Sequence, residues 1–244
     1  MLGSRGVRDR APLERRMDLQ QSWQGAPASA ESRIGFVRSV YLWLMAGFAV
    51  AAVGAVAAFL TVPIWVPLAQ GSRAFMWVLF LAQMGAIFFA TAVSRKKPLN
   101  ILAYGLFTLL SGFVAGIISI AVAAASGIAT VLLAFGLTGV VFLTLTITAF
   151  VSKKDFSFLR NFVIVGLAVM FFGGLAAAIF QLETFSLVVS GVAVIACSAK
   201  LLWDTSAMLR TDDLGDPAGF ALSLFVSLYN IFISLMNLLG GRRR

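Results

Sequence analysis

The chain has 244 residues, of which 60% are hydrophobic and 12% charged, and its mean hydropathy is +0.96. A soluble domain carries about 25% charged residues, so the composition excludes an ordinary water-soluble globule. With no histidine and the single cysteine Cys197, it also excludes Ser–His and Cys–His catalysis, histidine metal sites and a disulfide within the chain.

The formal charge of +9 does not point to nucleic acid. The basic residues flank apolar runs, where topology signals and lipid headgroup contacts place them. Those runs are about 20 residues long, enough at ~1.5 Å per residue to cross a ~30 Å hydrocarbon core. The short alternating segments of a β-barrel are missing. The expected fold class is an all-α integral membrane protein with seven transmembrane helices.

Residues 1–33 read as a hydrophilic, disordered N-terminal tail, rich in Arg, Ala, Ser and Gln, with Pro12 and Pro27. No apolar core precedes Arg33, which argues against a signal peptide. The membrane domain then covers 34–241, and 242–244 form a basic C-terminal tail. Spans are expected near 37–61, 74–93, 99–123, 128–151, 159–180, 184–208 and 218–239. "TVPIWVPLAQGS" separates the first two with two prolines, "SRKKP" the next pair, "SKKDFS" the fourth from the fifth, and "RTDDLGDP" the last two.

Lysine and arginine set the expected orientation. A cytoplasmic N-terminus puts Arg95, Lys96, Lys97, Lys153, Lys154, Arg160 and Arg210 on the cytoplasmic side and leaves almost only Arg73 opposite. The terminal "RRR" breaks this pattern if all seven segments cross. Tyr41, Trp43 and Trp203 fit one interfacial aromatic belt, and Trp65 and Trp77 the other. Small residues mark packing faces: Thr108, Gly112 and Gly116 on one side of the third span and Ser111, Ala115 and Ser119 on the next, with Gly136 and Gly139 on the fourth span and Gly166, Gly173 and Gly174 on the fifth.

In the last span, Ser223, Ser227, Asn230, Ser234 and Asn237 recur at spacings of four, three, four and three, which is one stripe of a helix. Lipid cannot hydrogen-bond such a stripe, so it faces protein or trapped water, and the seventh span is expected to be central. The sixth span carries Lys200 and Asp204, four residues apart and hence on one face. Two readings stand: an intrahelical pair snorkelling at the interface, or a proton- or cation-linked gate facing the Asn230 stripe. No catalytic set, metal site or cofactor site is expected, and an enzyme is not.

"WDTSAML" at 203–209, "ALSLFVSLYNIFISLMNLLG" at 221–240 and "KKDFSFL" at 153–159 resemble the Bax inhibitor-1/YccA family of transmembrane Bax inhibitor motif proteins, and most of all its bacterial YccA branch. The resemblance implies a central last span, a stress-protective, pH-sensitive leak for Ca2+ or another cation, and an inner-membrane location. For the YccA branch it implies association with an FtsH-type membrane-bound AAA protease. It places Asp204 on the sixth-span acidic position of the family's paired-aspartate pH sensor and puts Ser227 where the second aspartate would stand. Lys200 departs as well, from a position usually apolar or small. Two carboxylates sharing a proton can titrate near neutrality, whereas an adjacent ammonium favours the ionised form.

Overall fold

In hydrocarbon a backbone has no water to bond with, so an apolar segment must satisfy its N–H and C=O groups internally, and the helix does this. The computed structural model describes residues 30–152, 154–212 and 214–241. All its elements are helical: α1 (Ala30–Leu60), α2 (Val62–Gly71), α3 (Ala74–Ala92), α4 (Leu99–Ser126), α5 (Ile128–Ser152), a 3-10 turn (Ser157–Leu159), α6 (Arg160–Phe180), α7 (Glu183–Arg210) and α8 (Pro217–Gly240). Among the described residues, seven helices are long and apolar enough to cross a membrane, every one but the ten-residue α2.

The separator after the first span is not a loop. Residues 62–71 form α2, with Pro63 in its first turn and Pro67 inside it. The last carbonyls of α1 lack intrahelical partners. This segment supplies them: the Thr61 amide bonds Ala57 O, and the Trp65 indole donates to Ala58 O at 2.7 Å. Trp65 is therefore buried in a small apolar cluster with Ala58 and Ile117, and does not belong to an interfacial belt.

α1 also begins earlier than expected. Its helix takes in residues 30–33 of the expected tail, and Arg33 reaches Asp212 at 2.6 Å and Leu209 O at 3.4 Å, so this turn is held against the end of α7. The remainder of that tail, 1–29, lies outside the described residues, as do 242–244.

Without a hydrophobic drive between helices in lipid, close approach of small residues sets the packing. α1 lies tightly along α4. A Cβ on Gly112 would overlap the Ala51 backbone, and one on Gly54 the carbonyl of Leu109. On the adjoining face of α4, Ser111 accepts from Gln83 of α3 at 3.1 Å and Ser119 donates to Met236 of α8 at 3.4 Å. Both expected faces of the third span are thus packed. Gly166 and Gly173 of α6 meet Ala196 and Val189 of α7, but Gly136, Gly139 and Gly174 face open space and mark no helix contact.

α8 is the central helix, packed against α1, α4, α5 and α7. Leu224, Phe225 and Ile231 are fully buried around it, with Val40 and Leu44 of α1, Phe107 of α4 and Leu201 of α7. Outward-facing Leu102, Phe135, Val151 and Phe172 are exposed, as a lipid-facing surface requires.

Candidate functional site

α7 and α8 are antiparallel neighbours joined by the short 211–216 segment. Asp216 caps α8, accepting from the Gly219 amide at 2.8 Å, and Pro217 occupies the first turn, where a missing N–H costs nothing. This connection brings the first turns of α8 beside the last turns of α7, and so Ser223 beside Lys200 and Asp204.

The three side chains form a closed set. Lys200 Nζ lies 2.5 Å from Asp204 Oδ2, the Ser223 hydroxyl donates to the same oxygen at 2.7 Å, and it accepts from the Lys200 ammonium. A hydroxyl has one proton and two lone pairs, so Ser223 can do both at once. The Lys200 and Asp204 side chains are only 16% and 14% exposed. At that depth an unpaired charge is costly, and pairing with added hydrogen bonds offsets the loss of water. The pair is intrahelical, as the first reading had it, but it is turned inward on to α8 rather than outward to the interface.

The rest of the stripe behaves differently along its length. Ser227 is fully buried and donates to Ser223 O at 3.1 Å, and Asn230 donates to Val226 O at 2.8 Å. Both therefore bond their own helix backbone. Ser234 is buried. Asn237 crosses to α7, donating to Ser190 Oγ at 2.8 Å and Ser186 Oγ at 2.9 Å. The stripe engages α7 at its two ends and turns on itself between them. The residue touching Asp204 is Ser223, one turn from Ser227, and not Asn230.

Each end opens on a cavity. A cleft of about 520 Å³ is lined by Arg95, Lys200, Asp204, Asp216 and Ser223 among others, and lies between α3 and the α7–α8 pair. A second of about 650 Å³ is lined by Ser126, Glu183, Ser186 and Asn237 among others, at the opposite end. They share no lining residue. From Ser223 to Asn237 the helix rises about 21 Å at 1.5 Å per residue.

The loops at the Lys200 end are tied together. Arg210 reaches Asp155 at 2.6 Å, and Ser206 donates to Lys154 O at 3.0 Å. The Ser157 hydroxyl and amide both bond Asp155. Those two bonds, then Arg210, hold the exposed Asp155 carboxyl below its ordinary value. Gln83 was not singled out by sequence. It bonds Ser111 of α4, and Tyr229 of α8 donates to its Oε1 at 3.4 Å, so it joins α3 to the core. A lone amide inside "LFLAQMGAIFF" was the available signal.

Residues 33–244 match the family described as "Inhibitor of apoptosis-promoting Bax1". An uncharacterized protein of Campylobacter jejuni is 31% identical over 84% of this chain and 87% of its own length. The Escherichia coli protein called modulator of FtsH protease YccA is 31% identical over 68% of this chain and 76% of its own. A vaccinia virus Golgi anti-apoptotic protein is 28% identical over 88% of both chains. With seven spans around a central last helix, and matches of that extent, this chain is a multi-pass membrane protein and belongs to the Bax inhibitor-1 family.

Proposed function

We propose that this protein is a membrane-embedded binding modulator of an FtsH-type membrane protease, set in a bacterial inner membrane with its N-terminus in the cytoplasm, and that its polar interior is closed at rest. The observation that carries the closed state is the Lys200–Asp204–Ser223 set. The carboxylate that a cation would meet there is already neutralised by an ammonium and bonded by a hydroxyl. Among the described residues no group of three or more His, Cys, Asp and Glu side chains could hold a metal ion. The printed name of the Escherichia coli relative supports the choice of partner. On this reading the protein is not an enzyme, and its effect is exerted by binding.

The direct experiment is co-purification with the host's FtsH-type protease, followed by degradation of a membrane substrate with and without this protein. Association with slower or redirected degradation is the expected result. No association and unchanged degradation would end the reading. A reporter fused within the 94–98 turn should respond as a cytoplasmic one, because Arg95, Lys96 and Lys97 lie there.

A second reading is a stress-protective, pH-sensitive leak for Ca2+ or H+ with Asp204 as its gate. Two cavities at opposite ends of one polar stripe favour it. Passage would require Ser227, Asn230 and Ser234 to leave their present surroundings.

A further inference from the structure

Neither function uses the proline-bearing helix α2. Its ten residues rise about 15 Å, half of a ~30 Å hydrocarbon core, so it cannot cross. Val62, Trp65, Val66 and Ala69 belong to the apolar cluster that holds Ala58 of α1, Ile117 of α4 and Phe75 of α3. The opposite face carries Ile64 and Leu68, one turn apart and 66% and 53% exposed, with Pro63 and Pro67 exposed beside them. No charged side chain lies in α2.

The depth of α2 follows from Ile117. α4 rises a further ~14 Å from Ile117 to its end at Ser126, so the cluster that seats Trp65 lies well short of the end of the bundle. An apolar face left exposed at that level meets lipid. It is continuous with the exposed Phe59 and Leu60 at the end of α1, a helix long and apolar enough to cross. The chain then turns through Ser72, whose hydroxyl accepts from the Ala74 amide at 3.1 Å, and this fixes Arg73 between α2 and α3. Arg73 is exposed and, among the described residues, its guanidinium has no ion-pair or hydrogen-bond partner.

We propose that α2 is an interfacial helix embedded in the leaflet at the Arg73 end, and that its exposed face and Arg73 together form a site for an anionic phospholipid. Ile64 and Leu68 meet the acyl chains. The Arg73 guanidinium meets the phosphate, whose oxygens its planar fork of donors matches. Pro63 in the first turn leaves one fewer unpaired N–H facing lipid. Arg73 is the one cation in the described connections at that end, so a preference for an anionic headgroup there rests on it. The inference stands whether the protein modulates a protease or passes ions.

The test uses the full chain in lipid vesicles, with Cys197→Ala as a cysteine-free background. A bimane fluorophore is placed on Ile64→Cys, on Leu68→Cys or, for comparison, on Lys96→Cys in the 94–98 turn. Phospholipids brominated on their acyl chains should quench more at 64 and 68 than at 96, and aqueous iodide the reverse. Iodide quenching at 64 and 68 as strong as at 96 would overturn the proposal and leave that face to water or to a macromolecular partner. At Leu68→Cys, quenching by brominated phosphatidylglycerol against brominated phosphatidylcholine reads the local headgroup preference. Arg73→Gln should lower that preference about two- to fivefold, the size of one exposed ion contact, and raising the salt should lower it in the native protein. A preference unchanged by Arg73→Gln would overturn the phosphate contact.

Discussion

The Ser223 hydroxyl of α8 donates to the Asp204 carboxylate of α7 at 2.7 Å while accepting from Lys200. One small side chain on the central helix thereby completes an ion pair on its neighbour. Lys200→Met or Asp204→Asn each removes one member and leaves a partly buried polar group uncompensated, at a cost of up to about 3–5 kcal/mol. Lys200→Met with Asp204→Asn should cost less than the two single changes together, because no charge is then stranded. Ser223→Ala should cost about 1.5–3 kcal/mol, the loss of a hydrogen bond to a charged group. Thermal unfolding in detergent, read as a double-mutant cycle, measures the coupling; strict additivity would contradict the closed set.

Calcium flux into proteoliposomes separates the two functional readings. The wild-type protein should leak little, since Lys200 and Ser223 already occupy the Asp204 carboxylate. Lys200→Ala removes the ammonium that occupies this carboxylate and leaves it open to a cation, so any flux through the site should rise. Asp204→Asn in that background should abolish the response. Steep gating in the wild type that survives Asp204→Asn would move the gate elsewhere.

The α1–α4 contact gives a packing prediction. Gly112→Ala drives a methyl into the Ala51 backbone, and a rigid backbone cannot yield as a side chain can, so the cost should be at least about 1–3 kcal/mol. Gly105→Ala on the same helix meets nothing within 4 Å and should be neutral or stabilising by about 0.5–1 kcal/mol. Opposite shifts in Tm for these two substitutions are expected.

Asp155 yields a pH dependence. Its folded value is lowered from 3.8, first by the Ser157 hydroxyl and then by the Ser157 amide. A lowered carboxyl contributes stability above its unfolded value, and the contribution is lost as pH falls through the folded one. The Tm gap between wild type and Asp155→Asn should therefore be present at neutral pH and shrink below about pH 4. A gap independent of pH would mean that the carboxylate charge does not hold this turn.

Apolar run length and the placement of Lys and Arg were enough to place all seven spans to within a few residues, apart from the start of α1, because a helix is the only open segment that satisfies its own backbone in lipid. The polar stripe likewise marked α8 as the buried helix, since Ser223 and Asn237 have no partners in hydrocarbon. Other features were decided by contacts between distant segments. The helix at 62–71 exists beside the unfinished carbonyls of α1, to which Thr61 and Trp65 bond. Local proline content argued against it. Ser223 rather than Ser227 or Asn230 meets Asp204, because the 211–216 connection sets the register of α8 on α7. Periodicity assigns a residue to a face of its own helix. Only the packing of two helices decides which turn of that face lies opposite a given charge.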